Sequence, residues 1–75
     1  MKKWLEFKVI AEKPKTKIYA VLSLYDNTEL GKIYWYSRWR QYVYEPNAET
    51  VWSDECLKEL YDFLCKLKED RKVNP

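Results

Sequence analysis

The sequence has no histidine, one glycine, three prolines and two cysteines in 75 residues. Histidine is the side chain most used to move protons near neutral pH, so its absence removes the commonest general base. Ser23, Ser37 and Ser53 have no base in a recognisable relation to them. Gly31 alone cannot form a glycine-rich phosphate loop. Cys56 and Cys65 fall in one helical stretch. At about 1.5 Å and 100° per residue, their spacing puts them roughly 13 Å apart on opposite faces. A disulfide needs Cα atoms within about 7 Å, so these two do not pair. Two thiols without an imidazole also leave a zinc site short of ligands. The chain therefore reads as a reduced protein with no metal and no cofactor. No apolar run is long enough for a signal peptide or a membrane span, which implies a cytoplasmic protein without membrane contact.

A chain of this length allows a single domain, residues 1–75, with a small core. Domains so small often gain support from self-association, and a homo-oligomer is expected here. Net charge is only +2. Its distribution is uneven, with residues 1–44 at net +5 and residues 45–75 at net −3. A basic first half suits an anion-facing surface. The chain is also rich in aromatics, with four Trp, seven Tyr and two Phe, mostly between Tyr34 and Trp52.

Alternation of apolar and polar residues predicts strands over 3–11, 17–25, 30–36 and 39–44. In the first, Leu5, Phe7, Val9 and Ala11 share a face. In the second, Ile18, Ala20, Leu22 and Leu24 face one way, and Tyr19, Val21, Ser23 and Tyr25 the other. Pro14 and the Asp26-Asn27 pair mark turns. A two-residue Ser37-Arg38 loop would set Tyr36 against Trp39 and Ile33 against Tyr42. A longer loop remains open, because Ser-Arg is not a preferred pair for such a turn. Ser53 reads as an N-cap followed by Asp54 and Glu55, with Trp52 placed to staple onto Leu57. The helix runs to about Glu69, with Leu57, Leu60, Tyr61, Leu64 and Leu67 forming one apolar stripe. The expected fold is α+β, a four-stranded antiparallel sheet (β-β-β-β-α) with one C-terminal helix packed on one face. The other face stays open and carries Tyr and Trp.

Two arginines lie among the aromatics of the segment from Tyr34 to Tyr42. Aromatic faces stack on nucleobases, and guanidinium forks match phosphate. The candidate ligand-binding residues are therefore Tyr34, Tyr36 and Trp39 for stacking, with Arg38 and Arg40 for phosphate. Arg40 is also placed to stack on Trp35, and Lys15, Lys17 and Lys32 add positive charge. The same aromatics favour strands and fill small cores, so a structural role competes for each.

The pattern Gly31, Ile33, Trp35, Tyr36, Trp39, Arg40, Tyr42, Tyr44, Pro46, then Cys56 and Leu57, resembles small uncharacterised proteins encoded by phages and prophages. The resemblance spans roughly residues 30–67. It implies a phage source, and small phage proteins without catalytic residues often block host defences. Together with the stacking and phosphate candidates, this makes the expected function a non-enzymatic counter-defence protein that sequesters a nucleotide-derived, cyclic-nucleotide-type signal as an oligomer in the host cytoplasm. Two other functions fit the same residues. One is a protein-binding inhibitor of a host defence factor, acting through the open aromatic sheet face. The other is a nucleic-acid-binding module, which the small net charge disfavours.

Overall fold

The computed structural model describes residues 3–73. The strands are β1 (Leu5–Glu12), β2 (Lys17–Ser23), β3 (Glu29–Tyr36) and β4 (Gln41–Pro46), followed by the helix α1 (Asp54–Val73). The sheet is an antiparallel meander in the order β1-β2-β3-β4, so the chain is an α+β domain as expected. Among the described residues, no helix is long and apolar enough to cross a membrane.

Pleating sends alternate side chains to opposite faces. Leu5, Phe7, Tyr19, Val21, Ile33, Tyr42 and Tyr44 pack toward α1, where Leu5, Val21, Ile33, Leu60 and Leu67 form the buried core. Val21 and Ile33 are fully enclosed at its centre. Phe7 of β1 stacks flat on Phe63 of α1 at 4.0 Å between ring centres. The first predicted strand face does not run through to Ala11, because the β1–β2 register shifts between Val9 and Ala11. That bulge reverses the alternation beyond Ile10.

The helix begins as its cap predicts. Ser53 Oγ accepts a hydrogen bond from the Cys56 N–H at 3.2 Å, and Asp54 and Glu55 occupy the first turn. The buried stripe is rotated from the expected one. Cys56, Leu60, Phe63, Leu64 and Leu67 turn inward, whereas Leu57 and Tyr61 are exposed. Trp52 packs edge-on against Tyr44 at 5.2 Å, and Leu57 is left at the surface. Glu59 ties the helix to the sheet by accepting the N–H groups of Trp4 and Leu5 at 2.7 and 3.1 Å.

Gly31 sits where β3 meets β4 beneath the Tyr44 ring. The Tyr44 hydroxyl is buried there and has no hydrogen-bond partner among the described residues. Burial pushes its phenol up to about 12. The unfolded value is about 10, so the folded state holds this proton more tightly. The stability it contributes is complete below the unfolded value and is lost as pH rises through the folded one. An alkaline titration followed by phenolate absorbance should show one tyrosine ionising near pH 12. Tyr44→Phe should remove that step and leave stability unchanged, or raise it by up to about 1 kcal/mol, since an unpaired buried hydroxyl is lost. A Tyr44→Phe protein less stable by more than about 1 kcal/mol would show that the hydroxyl is satisfied.

Candidate functional site

The loop between β3 and β4 is longer than a two-residue turn. Tyr36 pairs with Gln41, Trp35 with Tyr42, Tyr34 with Val43 and Ile33 with Tyr44. Ser37, Arg38, Trp39 and Arg40 form the connection, and β4 starts at Gln41 rather than Trp39. Two successive turns close it, with the N–H groups of Trp39 and Arg40 donating to the carbonyls of Tyr36 and Ser37, both at 3.2 Å. Relative to the two-residue loop, the register moves by two residues. An even shift keeps Ile33, Trp35, Tyr42 and Tyr44 on one face.

Arg40 closes the loop with φ of 52°. This is the left-handed region, which a side chain other than Gly or Asn rarely adopts. That backbone turn delivers Arg40 to the helix side of the sheet. There it lines a cleft of about 630 Å³ between the β3–β4 hairpin and the C-terminal half of α1. Trp35, Gln41 and Tyr42 form the sheet wall. Tyr61, Leu64, Cys65 and Lys68 form the helix wall. Trp35 and Tyr42 meet edge-to-face at 5.5 Å, and the Tyr42 hydroxyl accepts the Lys17 N–H at 3.3 Å. These contacts fix the wall. Tyr61 is exposed, and hydrogen bonding with Cys65 pushes its phenol up. Arg40 and Lys68 supply two positive charges, and no carboxylate lines the cleft among the described residues.

The five sequence candidates divide between the two sides of the sheet. Tyr34 and Tyr36 are half-buried on the open face, with Trp39 edge-on to Tyr36 at 5.1 Å and itself 66 % exposed. The Tyr34 hydroxyl donates to Glu45 Oε1 at 3.1 Å, which pushes the Tyr34 phenol up. Arg38 is exposed in the loop, and Arg40 alone of the five lines the cleft. The sheet therefore keeps Tyr34, Tyr36 and Trp39 apart from Arg40. Trp35 and Tyr42 were readable as neighbours of Arg40 from strand parity. Tyr61 and Lys68 were not, because nothing local in the sequence says which strand residues the helix faces.

The antiparallel meander also brings distant basic residues to one end. The β1–β2 turn, flanked by Lys13, Lys15 and Lys17, lies at the same end of the sheet as Arg38 and Arg40. A different groove, about 820 Å³, runs between β1 and the opposite side of α1. Its lining includes Glu6, Glu55, Glu59 and Asp62 as well as lysines, so it is not an anion site. No family model, curated protein or solved structure matches the chain.

Proposed function

We propose that the protein binds a nucleotide-like anion, without turnover, in the cleft between the β3–β4 hairpin and α1. The observation that carries this reading is the cleft's lining: two cations, three aromatic rings and no carboxylate among the described residues. Its volume lies in the range of small-molecule sites, about 300–1,000 Å³. Arg40 and Lys68 hold phosphate, Arg40 as a fork and Lys68 as a point charge. Trp35, Tyr42 and Tyr61 offer ring faces and edges to a base, and the Gln41 amide can both donate and accept. The basic tip residues raise the local concentration of anions before binding. Among the described residues, no imidazole or carboxylate lines the cleft to move a proton, which favours holding a ligand over transforming it. Sequestration of a nucleotide-derived signal fits such a protein, and the resemblance to phage and prophage proteins supplies a setting for it.

Trp35 gives the cleft a built-in reporter. Titration with nucleoside monophosphates and cyclic nucleotides should quench or shift tryptophan emission to saturation. The matching nucleosides, which lack phosphate, should bind at least about 10-fold more weakly, as loss of charge-assisted hydrogen bonds requires. Raising the salt should weaken nucleotide binding. Equal responses to nucleoside and nucleotide would remove Arg40 and Lys68 from the reading.

A second reading has its own observation. Ile18, Leu22, Tyr34, Tyr36 and Val43 are only half-buried on the face that no described element covers, and Trp39 stands out beside them. A host protein docking there would be indifferent to nucleotide and would be weakened by Trp39→Ala.

A further inference from the structure

The sheet is open at β1, and the sequence of that edge is self-complementary. The Leu24 N–H donates to the Trp4 carbonyl at 3.0 Å, so the even-numbered residues at the start of β1 turn their backbone groups toward β2. Leu5, Phe7 and Val9 then turn theirs outward, away from the sheet. The Leu5 N–H is held by Glu59, which also takes the Trp4 N–H. Among the described residues, no strand pairs with the outward N–H groups of Phe7 and Val9 or with the carbonyls of all three. Val9 and Ile10 are also 41 % and 48 % exposed along this edge.

We infer that β1 pairs antiparallel with β1 of a second copy about a two-fold axis through Phe7, extending the sheet across both chains. This surface lies on the opposite side of α1 from the anion cleft and does not depend on it. In the register centred on Phe7, the two Phe7 residues exchange both backbone hydrogen bonds. The Val9 N–H of each chain donates to the Leu5 carbonyl of the other, and the Leu5 N–H keeps its bond to Glu59. Leu5 then sits opposite the partner's Val9 on the helix side. On the open face, Glu6 sits opposite the partner's Lys8, and symmetry repeats the pair. The adjacent in-phase registers, centred on Glu6 or on Lys8, set like charges against each other, which cross-strand neighbours tolerate poorly. The bulge after Val9 ends the ladder and limits it to one short segment per chain.

The helix borders the same edge of the sheet. The groove between β1 and α1 has Leu5, Phe7 and Phe63 among its lining and Glu55, Lys58, Asp62 and Lys66 along the helix. Phe7 lies against Phe63, and Glu59 reaches Leu5, so an axis through Phe7 passes the helix close to residue 63. On the strand, acid faces base at both symmetry-related Glu6–Lys8 pairs. The two grooves would close over one another around the paired Phe7 and Phe63 rings.

Charge exchange tests the register. Glu6 and Lys8 are exposed, so substituting them leaves the core intact. Sedimentation velocity of the full chain should show a dimer. Glu6→Lys alone and Lys8→Glu alone should each weaken it about 10- to 100-fold, because two attractive pairs become repulsive. The double variant Glu6→Lys/Lys8→Glu restores opposite charges and should restore the dimer, with circular dichroism unchanged throughout. A monomeric wild type at high concentration, a dimer indifferent to either single change, or a double variant no better than the singles would each overturn the proposed pairing.

Discussion

Gly31→Ala is expected to destabilise the protein by about 3 kcal/mol or more, at the upper end of what overpacking costs. A Cβ at this position would lie 2.5 Å from the Glu45 carbonyl oxygen and 2.5 Å from the Tyr44 hydroxyl. The carbonyl belongs to the neighbouring strand, so it cannot retreat without breaking the β3–β4 ladder. Tyr44 cannot retreat freely either, since its ring is held against Trp52 at 5.2 Å. Gly31 has no positive φ, so space and not backbone freedom makes glycine necessary. A domain of 75 residues has only about 4–11 kcal/mol of stability in total. The loss should lower the melting temperature by about 12–24 °C, or unfold the protein outright. Chemical denaturation of the two proteins measures it. A Gly31→Ala protein within about 1 kcal/mol of wild type would mean that β3 and β4 separate more easily than the packing around Tyr44 implies.

Arg40→Gly is expected to reduce nucleotide affinity about 100-fold while leaving the fold as stable or more so. Arg40 holds φ at 52°, a conformation that costs an L-residue about 1–2 kcal/mol and glycine almost nothing. Glycine's greater unfolded-state entropy takes back part of that gain, so a rise of about 0.5–1 kcal/mol is expected. The opposite signs are informative. A residue kept for structure would lose stability when removed, whereas one kept for its guanidinium loses binding and relieves strain. Denaturation and ligand titration on the same sample separate the two. A destabilised Arg40→Gly protein would make the side chain structural, a cover for Trp35 with no role toward a ligand.

Much of the fold could be read from the sequence, for identifiable reasons. Alternation placed Ile18, Ala20 and Leu22 on one face of β2 and Tyr19, Val21 and Ser23 on the other, and the pairing of β2 with its neighbours follows that division. The Ser53 cap was legible because its hydroxyl and the acids after it are local signals. The length of the 37–40 loop was not legible. Its left-handed position holds Arg40 where Gly or Asn would have announced the turn. Parity survived only because the loop is longer by an even number. The helix stripe was misplaced because apolar residues surround α1. Leu57 and Tyr61 fit a 3.6-residue spacing as well as Cys56 and Phe63 do, and the stacking of Phe63 on Phe7 decides the rotation. The bulge at Ile10 left no mark in the composition of β1.

The candidate site followed the same division. Strand parity already separated Tyr34, Tyr36 and Trp39 from Trp35 and Tyr42, but density of aromatics along the chain drew them into one group. Sequence proximity is a poor guide inside a strand, where adjacent residues face opposite ways. The helix wall of the cleft, Tyr61, Cys65 and Lys68, depends on how α1 lies across the sheet. That is a tertiary fact, with no local signature.

Native mass spectrometry of the purified protein, incubated with a panel of nucleoside monophosphates and cyclic nucleotides, tests the central claim most directly. Wild type should gain the mass of one nucleotide per protomer for at least one member of the panel, and Arg40→Gly, still folded, should gain none. Absence of any adduct across the panel, or equal adducts on the two proteins, would contradict nucleotide binding in this cleft.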